Sequence, residues 1–237
     1  DGIMENFKID EVYGMHNWPG VELGKFAIRS GPFFAASDFI EATISGKGGH
    51  AAKPQETIDP TVIASQIVVA LQTIASRRAD PVKQVVVSIT SFETSSNAFN
   101  VIPQEVKIKG TVRTLDPDVR DLAEKEFLRI TELTAEALGG SADAKFTRGY
   151  PVMSNTSEQT EFAAKVARDV AGECAEAPLV MGGEDFAYML EERPGAYILL
   201  GNGDSSPVHH PEYNFNDDAI PFGCSWLVEL VEQKMPV

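Results

Sequence analysis

The chain has 237 residues, of which 43% are hydrophobic and 23% are charged, a balance typical of a folded globular protein and not of a disordered one. Its 35 acidic residues outnumber its 20 basic residues, and the formal charge of −15 disfavours binding to nucleic-acid phosphates. No hydrophobic run approaches the length of a membrane span, and residues 1–14 lack the basic-then-apolar pattern of a signal peptide.

Residues 1–36 predict two strands, one through VYGMH and one through GKFAIRS, around a Pro-Gly turn. The alternation of hydrophobic and polar residues then predicts a strand over Phe39–Ser45. Asp59 followed by Pro60 marks the start of a helix, because proline suits the first helical turn.

Two further strands follow this helix, through QVVVSITSF and EVKIKGTVRTL. Asp116 before Pro117 begins a second helix, and Gly139 stands where a helix-ending glycine belongs. A last strand, ADAKFTRG, closes the unit. The order β-α-β-β-α-β over residues 37–150 predicts a ferredoxin-like domain in which two helices cover one face of a four-stranded antiparallel sheet.

Helices and strands alternate beyond residue 150. Thr156 to Gln159 resembles a capping box for a helix that ends near Gly172, and the last helix is predicted from about Asp217 to Gln233. Between them PLVM and GAYILLG predict strands, and EDFAYMLEE predicts a short helix. Because these strands are too few for a large sheet, we interpret 1–36 and 151–237 as one discontinuous α/β domain interrupted by the ferredoxin-like unit.

The four histidines, His16, His50, His209 and His210, all lie in turns marked by glycine or proline. Sites are often built in such loops, because a rigid frame positions exposed side chains there. Any one of them alone is as well explained as an ordinary turn residue. Their joint placement favours a functional site.

Seven segments in series carry a specific resemblance that covers essentially the whole chain. They are YGMHNWPG, GKGGHAAKPQETIDP, NAFNVIP, GTVRT, MGGEDFAY, RPGAYILLGNG and HHPEYNFNDDAIPFG. Together they resemble the aminoacylase-type metallopeptidases, in particular the branch of hippurate hydrolases, auxin-conjugate hydrolases and N-acyl-amino-acid amidohydrolases. The resemblance implies metal-dependent hydrolysis of the amide bond of an N-acyl amino acid or dipeptide by a water activated at two metal ions.

The same resemblance implies the fold: part of a zinc-peptidase-like α/β catalytic domain with an inserted ferredoxin-like α+β lid and dimerisation domain. His16 resembles a ligand of one metal ion and His209 a ligand of the other, whereas His210 occupies a variable position and is interpreted as a solvated turn residue. Neutral imidazole suits Zn²⁺, Mn²⁺, Co²⁺ and Ni²⁺, so the identity of the metal stays open. Gly182 and Gly183 resemble a pocket-lining loop, with a plain strand-to-helix turn as the alternative.

In the lid, His50 resembles the catalytic histidine that donates a hydrogen bond to the oxygen of the scissile carbonyl, which gains negative charge in the transition state. Asn100 and Arg113 resemble the residues that hold the substrate carboxylate, for which the planar guanidinium is suited. An exposed strand charge is the alternative for Arg113. The resemblance also implies a homodimer through the lid, in which the histidine reaches the partner's site; an acidic monomer is the alternative.

The family pattern has a Cys- and His-containing metal segment and two adjacent glutamates before YGMHNWPG, whereas residues 1–15 contain no histidine, cysteine or Glu-Glu pair. We therefore expect an N-terminally truncated fragment with little activity of its own. Gln55 stands where the family often has another histidine. Two other hypotheses stay open: a non-catalytic binding or regulatory homologue that dimerises through the lid, and a purely structural dimerisation module.

The two cysteines, Cys174 and Cys224, are far apart and stand in no metal-binding spacing. Isolated cysteines suit a reducing compartment, so we expect a cytoplasmic protein, with a single disulfide left open.

Overall fold

The computed structural model describes residues 2–235, and the chain divides into two compact units. Unit 1 comprises Asp1–Phe34, Met153–Val180 and Glu184–Val237. Unit 2 comprises Ala35–Val152 and Met181–Gly183. No helix within the described range is both long and apolar enough to cross a membrane.

Residues 2–235 form six α-helices and twelve strands. The helices are α1 (Ile3–Asn6), α2 (Pro60–Leu71), α3 (Pro117–Ala137), α4 (Ser157–Ala171), α5 (Ala187–Glu192) and α6 (Ile220–Lys234). The strands are β1 (Val12–Trp18), β2 (Phe26–Ile28), β3 (Gly31–Phe34), β4 (Ala36–Ser45), β5 (Gly49–His50), β6 (Val85–Thr94), β7 (Val101–Ile102), β8 (Glu105–Thr114), β9 (Ser141–Thr147), β10 (Met153–Asn155), β11 (Cys174–Glu176) and β12 (Gly195–Gly201).

Unit 2 has the predicted ferredoxin-like architecture. Its four-stranded sheet has the order β6-β8-β4-β9 with antiparallel neighbours, and α2 and α3 pack on it. Both helices begin at the predicted aspartates: the Asp59 carboxylate accepts the Thr61 N–H at 2.8 Å, and Asp116 accepts N–H groups of the first turn of α3 at 2.9 and 3.1 Å. The largest buried side chains between sheet and helices are Ile44, Ile63, Ile67, Leu71, Ile74, Ile108 and Phe127.

Unit 1 is built on a mixed four-stranded sheet with the order β1-β12-β2-β11. The strands β1 and β12 are parallel, so both run towards the same edge of the sheet. α4 and α6 pack beside it, and Trp226 of α6 is fully buried while its indole N–H donates to the Ala163 carbonyl at 3.1 Å. A separate antiparallel pair, β3 with β10, completes the strands of this unit.

Two local predictions for unit 1 are wrong. The Thr156 hydroxyl does not cap α4 but exchanges hydrogen bonds of 2.9 Å with the Gly195 backbone, and the Gln159 amide donates to Glu11 instead of closing a capping box. Tertiary partners therefore outcompete the local cap. The strand predicted at PLVM is absent from the described chain, where Val180 forms only an isolated bridge to Phe34 and the strand is β11, just before it.

Candidate active site

His16 lies near the carboxyl end of β1, opposite Leu199 of β12. Its ring is half-buried and packs edge-on against Trp18, with 5.5 Å between the ring centroids. Nδ1 lies 2.6 Å from the Asn17 carbonyl oxygen, which can only accept, so the proton resides on Nδ1. This tautomer leaves the Nε2 lone pair free, which is the arrangement that a metal-binding imidazole requires.

His209 lies on an irregular loop that follows β12 and extends to residue 216. The backbone of His209 has a φ of +67°, in the left-handed region that few non-glycine residues adopt, and its side chain is exposed. The neighbouring His210 shapes this turn: its N–H donates to the Pro207 carbonyl, and its ring Nδ1 accepts the Glu212 N–H at 3.1 Å. The exposed turn residue predicted at His210 therefore also has a structural contact.

The base of this loop is organised by Asn202, whose side chain is buried. Its amide nitrogen donates to the Ser205 hydroxyl at 2.8 Å and to the Asn214 carbonyl at 2.9 Å. Its amide oxygen accepts the Asn216 N–H at 2.8 Å. One side chain thus joins the beginning and the end of the loop.

The His209 loop is tied to the strand that carries His16. The Tyr213 hydroxyl donates to the Asn17 side-chain oxygen at 2.7 Å. The structure therefore brings together the two segments that bear the predicted metal ligands, at the edge towards which the parallel strands β1 and β12 run. In open α/β sheets this carboxyl edge is where ligands usually bind.

Two imidazoles do not by themselves complete a metal site. Within residues 2–235 no group of three or more His, Cys, Asp or Glu side chains is arranged to hold a metal ion. The donor chemistry of His16 and His209 suits a transition metal, but a firm site needs further ligands beside them.

In unit 2, His50 and Asn100 are brought together by a small ladder. β5 and β7 pair antiparallel with His50 opposite Val101, and the Ala51 N–H donates to the Asn100 carbonyl at 3.0 Å. The His50 ring is exposed, and its Nδ1 accepts the Ala52 N–H at 3.1 Å. An accepting Nδ1 leaves the proton on Nε2, so the outward face of the ring is a hydrogen-bond donor.

Arg113 lies elsewhere in unit 2. It is opposite Ser37 of β4, at the end of the sheet where β4 begins, whereas the β5–β7 ladder follows the end where Ser45 pairs with Glu105. Glu105 and Arg113 are eight residues apart on β8, roughly 26 Å at 3.3 Å per residue. Within one chain the structure does not bring Arg113 together with His50 and Asn100.

The Arg113 guanidinium donates to the Thr111 hydroxyl and, at 3.1 Å, to the Val112 carbonyl. In the described part of the chain it forms no ion pair with a carboxylate, because the nearby Asp38 side chain is engaged by Arg120. Burial lowers the pKa of Arg113, and the negative charge of Asp38 opposes this shift. A half-buried cation without a carboxylate partner is suited to bind an external anion.

Gly182 and Gly183 are exposed and pack against the start of β4. The Ala35 N–H donates to the Gly182 carbonyl at 3.0 Å. A Cβ at Gly183 would lie 2.7 Å from the Cβ of Ser37, so close packing alone requires glycine there. Their predicted place in the substrate pocket stays a prediction.

Sequence reasoning missed several residues that shape these segments. Asn202 and Tyr213 act through partners that are distant along the chain, and the exposed Phe99 stands next to Asn100 at the tip of the loop before β7. The Tyr197 hydroxyl donates to the Glu184 carboxylate at 2.8 Å. Its pKa is raised, first by burial and second by this hydrogen bond. An asparagine directly after a buried strand was the one local signal that pointed to Asn202.

The family to which the chain belongs follows from a match over almost its whole length. A model described as peptidase family M20/M25/M40 matches residues 1–233. The chain belongs to this family. The resemblance stated from the seven segments is thereby confirmed.

Curated members of the family show which proteins the chain is similar to. It is 36% identical over 227 residues to an N-acetyl-L-cysteine deacetylase of Bacillus subtilis, covering 96% of this chain and 54% of that protein. It is 36% identical to the hippurate hydrolase of Campylobacter jejuni, covering 97% of this chain and 61% of that protein. It is 38% identical to IAA-amino acid hydrolase ILR1-like 2 of Arabidopsis thaliana, covering 99% of this chain and 55% of that protein.

Solved structures of the family agree with the fold. An aminohydrolase from methicillin-resistant Staphylococcus aureus superposes with a TM-score of 0.87 at 32% identity, covering 98% of this chain and 60% of that one. The Bacillus subtilis YXEP protein, described as a dinuclear metal binding peptidase from the M20 family, superposes with a TM-score of 0.81 at 28% identity, with 97% and 58% coverage. The chain thus spans between half and two thirds of the length of these M20 relatives.

Proposed function

We propose that the whole protein is a metal-dependent amidohydrolase that cleaves the amide bond of N-acyl amino acids. The observation that carries the proposal is the junction in unit 1 where the His16 strand and the His209 loop meet at the carboxyl edge of parallel strands. Membership of the M20 family and the amide-hydrolase names of its relatives support the reaction class.

In this proposal, His16 and His209 each contribute one imidazole to the site of a divalent ion, which is Zn²⁺, Mn²⁺, Co²⁺ or Ni²⁺, with two ions per whole subunit. When bound, such ions polarise a carbonyl and make a water molecule acidic. The free Nε2 of His16 supports its role, because its Nδ1 proton is already used by the backbone.

His50 donates its Nε2 proton as a hydrogen bond to the carbonyl oxygen of the scissile amide. This oxygen gains negative charge as the carbonyl carbon becomes tetrahedral, so a donor held in advance stabilises the transition state more than the substrate. The Ala52 N–H supports the role, since its hydrogen bond to Nδ1 fixes the donor tautomer.

Arg113 binds the free carboxylate of the amino-acid half of the substrate, and Asn100 adds an amide donor. Gly182 and Gly183 line the pocket, where a flat backbone lets a ligand approach closely. Because Asn100 and Arg113 lie at opposite ends of one sheet, one carboxylate reaches both residues only if they come from two chains.

This separation supports a homodimer through the lid domain, in which His50 and Asn100 of one subunit serve the site of the other. The open edge of β6 offers a contact of suitable geometry. From Val85 to Phe92 it has no charged residue and no proline, and the neighbouring α2 exposes Val62 and Val69. In such a dimer the β6 strands of two subunits pair antiparallel around a two-fold axis. This pairing brings the Arg113 end of one sheet beside the His50 end of the other.

The dimer is tested by Thr90→Lys on β6, with Thr147→Lys on the opposite edge strand β9 as the matched control. Both threonines are exposed. In sedimentation analysis the β6 variant is expected to be monomeric and the β9 variant dimeric. Equal behaviour of the two variants contradicts the β6 interface.

The reaction is tested by offering N-acetyl-cysteine, hippurate and other N-acyl amino acids to the whole protein with each of the four metals. Arg113→Ala is expected to raise KM for substrates with a free carboxylate and to leave their carboxamide analogues unaffected. Release of no amino acid under any of these conditions contradicts the proposed substrate class.

A non-catalytic binding homologue is the second candidate. Metal analysis of the whole protein separates the two, because a purely binding or dimerising protein has no need of a stoichiometric metal.

A further inference from the structure

The loop that carries His209 has little intrinsic order. Residues 202–216 contain no helix or strand, and at residue 209 the backbone holds the unfavourable left-handed conformation. A loop of this kind samples many conformations unless its surroundings restrain it. The position of the His209 imidazole therefore depends on the contacts that hold the loop.

Those contacts fall into two groups. Asn202 closes the base of the loop on itself, and backbone hydrogen bonds join Gly203 to Gly20 and Val21. The Asn202 N–H also donates to the Trp18 carbonyl at 3.1 Å, which joins the base of the loop to the last residue of β1. In the described chain the bond from Tyr213 to Asn17, at 2.7 Å, is the one side-chain hydrogen bond between residues 203–216 and β1.

The two ends of this bond are each adjacent to a candidate ligand. Asn17 follows His16 directly, and its own carbonyl accepts the His16 Nδ1 proton. Tyr213 lies four residues after His209, and its N–H donates to the His210 carbonyl at 2.9 Å. A chain of contacts thus runs from the His16 ring through Asn17 and Tyr213 into the turn that bears His209.

We propose that Tyr213 and Asn17 are a positioning pair that sets the His209 loop at the distance from His16 at which each imidazole binds its own ion of the two-ion site. The inference rests on the proposed role of the two histidines. The Asn17 amide nitrogen is buried and has no partner, so the amide is held by the tyrosine alone. Loss of either partner leaves the loop joined to this part of the unit only at its base, through the backbone bonds of Asn202 and Gly203.

The experiment is a double-mutant cycle with Tyr213→Phe, Asn17→Leu and the double variant of this chain. Tyr13→Phe is the matched control, because Tyr13 lies on the same strand and its hydroxyl donates to Glu11 at the same distance of 2.7 Å. Two quantities are measured: amide hydrogen exchange of residues 203–216 without metal, and the affinity for Co²⁺ from broadening of the histidine signals. Asn17→Asp keeps the acceptor and serves as the conservative variant.

Each single variant is expected to speed exchange across residues 203–216 and to weaken Co²⁺ binding by roughly tenfold, the scale of losses when residues that orient ligands are changed. The double variant is expected to lose no more than either single variant, because both remove the same bond. Asn17→Asp and Tyr13→Phe are expected to retain wild-type exchange in this loop.

Additive losses in the double variant, or equal losses in Tyr13→Phe, overturn the proposal, because the two residues then act independently or through general stability. If Co²⁺ affects neither His16 nor His209 in the whole protein, the proposed role of these two residues as metal ligands fails. The amide exchange rates of residues 203–216 then test the positioning pair without metal. Non-additive changes in the single and double variants support the pair, and exchange rates that do not change refute it.

Discussion

The guanidinium of Arg120 binds the carboxylate of Asp38 through two parallel hydrogen bonds in the interior of unit 2. Asp38 is fully buried at the start of β4, and the same arginine also donates to the carbonyls of Gly149 and Tyr150. The pair thereby ties the first strand of the sheet of unit 2 to the segment that follows its last strand.

Removing one partner of this pair leaves the other charge buried without compensation. Arg120→Met is therefore expected to lower the free energy of unfolding of unit 2 by about 3–5 kcal/mol. Urea denaturation followed by a probe in unit 2 measures the loss.

Arg148→Ala is the matched control, because Arg148 also forms ion pairs, with Asp121 and Glu124, but its side chain is 45% exposed. Its removal is expected to cost less than about 1 kcal/mol. Similar losses in the two variants would show that the buried Asp38–Arg120 pair contributes no more to the free energy of unfolding than an exposed ion pair does.

The stability of unit 2 is expected to depend on pH through Glu126. Hydrogen bonds from Arg129 and Arg78 lower the pKa of this carboxyl from 4.5 to about 2. A carboxyl group whose pKa is lowered by folding stabilises the folded state at pH values above its pKa in the unfolded chain. This stabilisation is lost as the pH falls from 4.5 towards 2.

Glu126→Gln removes this titration, so its stability is expected to change less than that of the unmodified chain over the same pH window. Thermal unfolding at several pH values between 2 and 6 measures the difference. Parallel curves for the two proteins are the contradicting result.

The fold of unit 2 could be predicted because its signals are local. An aspartate before a proline caps each helix through its own side chain, at Asp59 and Asp116, and alternating residues mark β4 and β8. Binary patterning and caps need no knowledge of the rest of the chain. The fold class predicted from them is confirmed.

The site could be predicted only in part, because its arrangement depends on distant partners. The Asn17–Tyr213 bond joins residues 196 positions apart, and no local pattern indicates it. The β5–β7 ladder has two residues per strand, too short for any periodicity to reveal that His50 and Asn100 are neighbours. Thr156 was misread for the same reason, since its partner is Gly195.

The amide of Asn202 is expected to hold the His209 loop closed. Asn202→Ala removes the partly buried hydrogen bonds to the Asn216 N–H and the Asn214 carbonyl, at a cost of about 0.5–1.5 kcal/mol for each bond. We expect faster proteolytic cleavage within residues 203–216 and little change in the stability of unit 2.

Asn202→Asp keeps the oxygen that accepts from Asn216 but loses both donated hydrogen bonds. Its cleavage rate is expected to lie between those of the alanine variant and the unmodified chain. Resistance of the alanine variant to a protease would refute the role of Asn202.

The most direct test of the central claim uses the fact that the chain has only four histidines. Paramagnetic Co²⁺ is titrated into the protein while the imidazole signals are followed by NMR, with assignments from single His→Ala variants. We predict that the His16 and His209 signals both broaden as Co²⁺ is added, and that His16→Ala and His209→Ala each bind Co²⁺ more weakly than the unmodified protein. A His16 or His209 signal that stays sharp at saturating Co²⁺ would contradict a metal centre built on both residues.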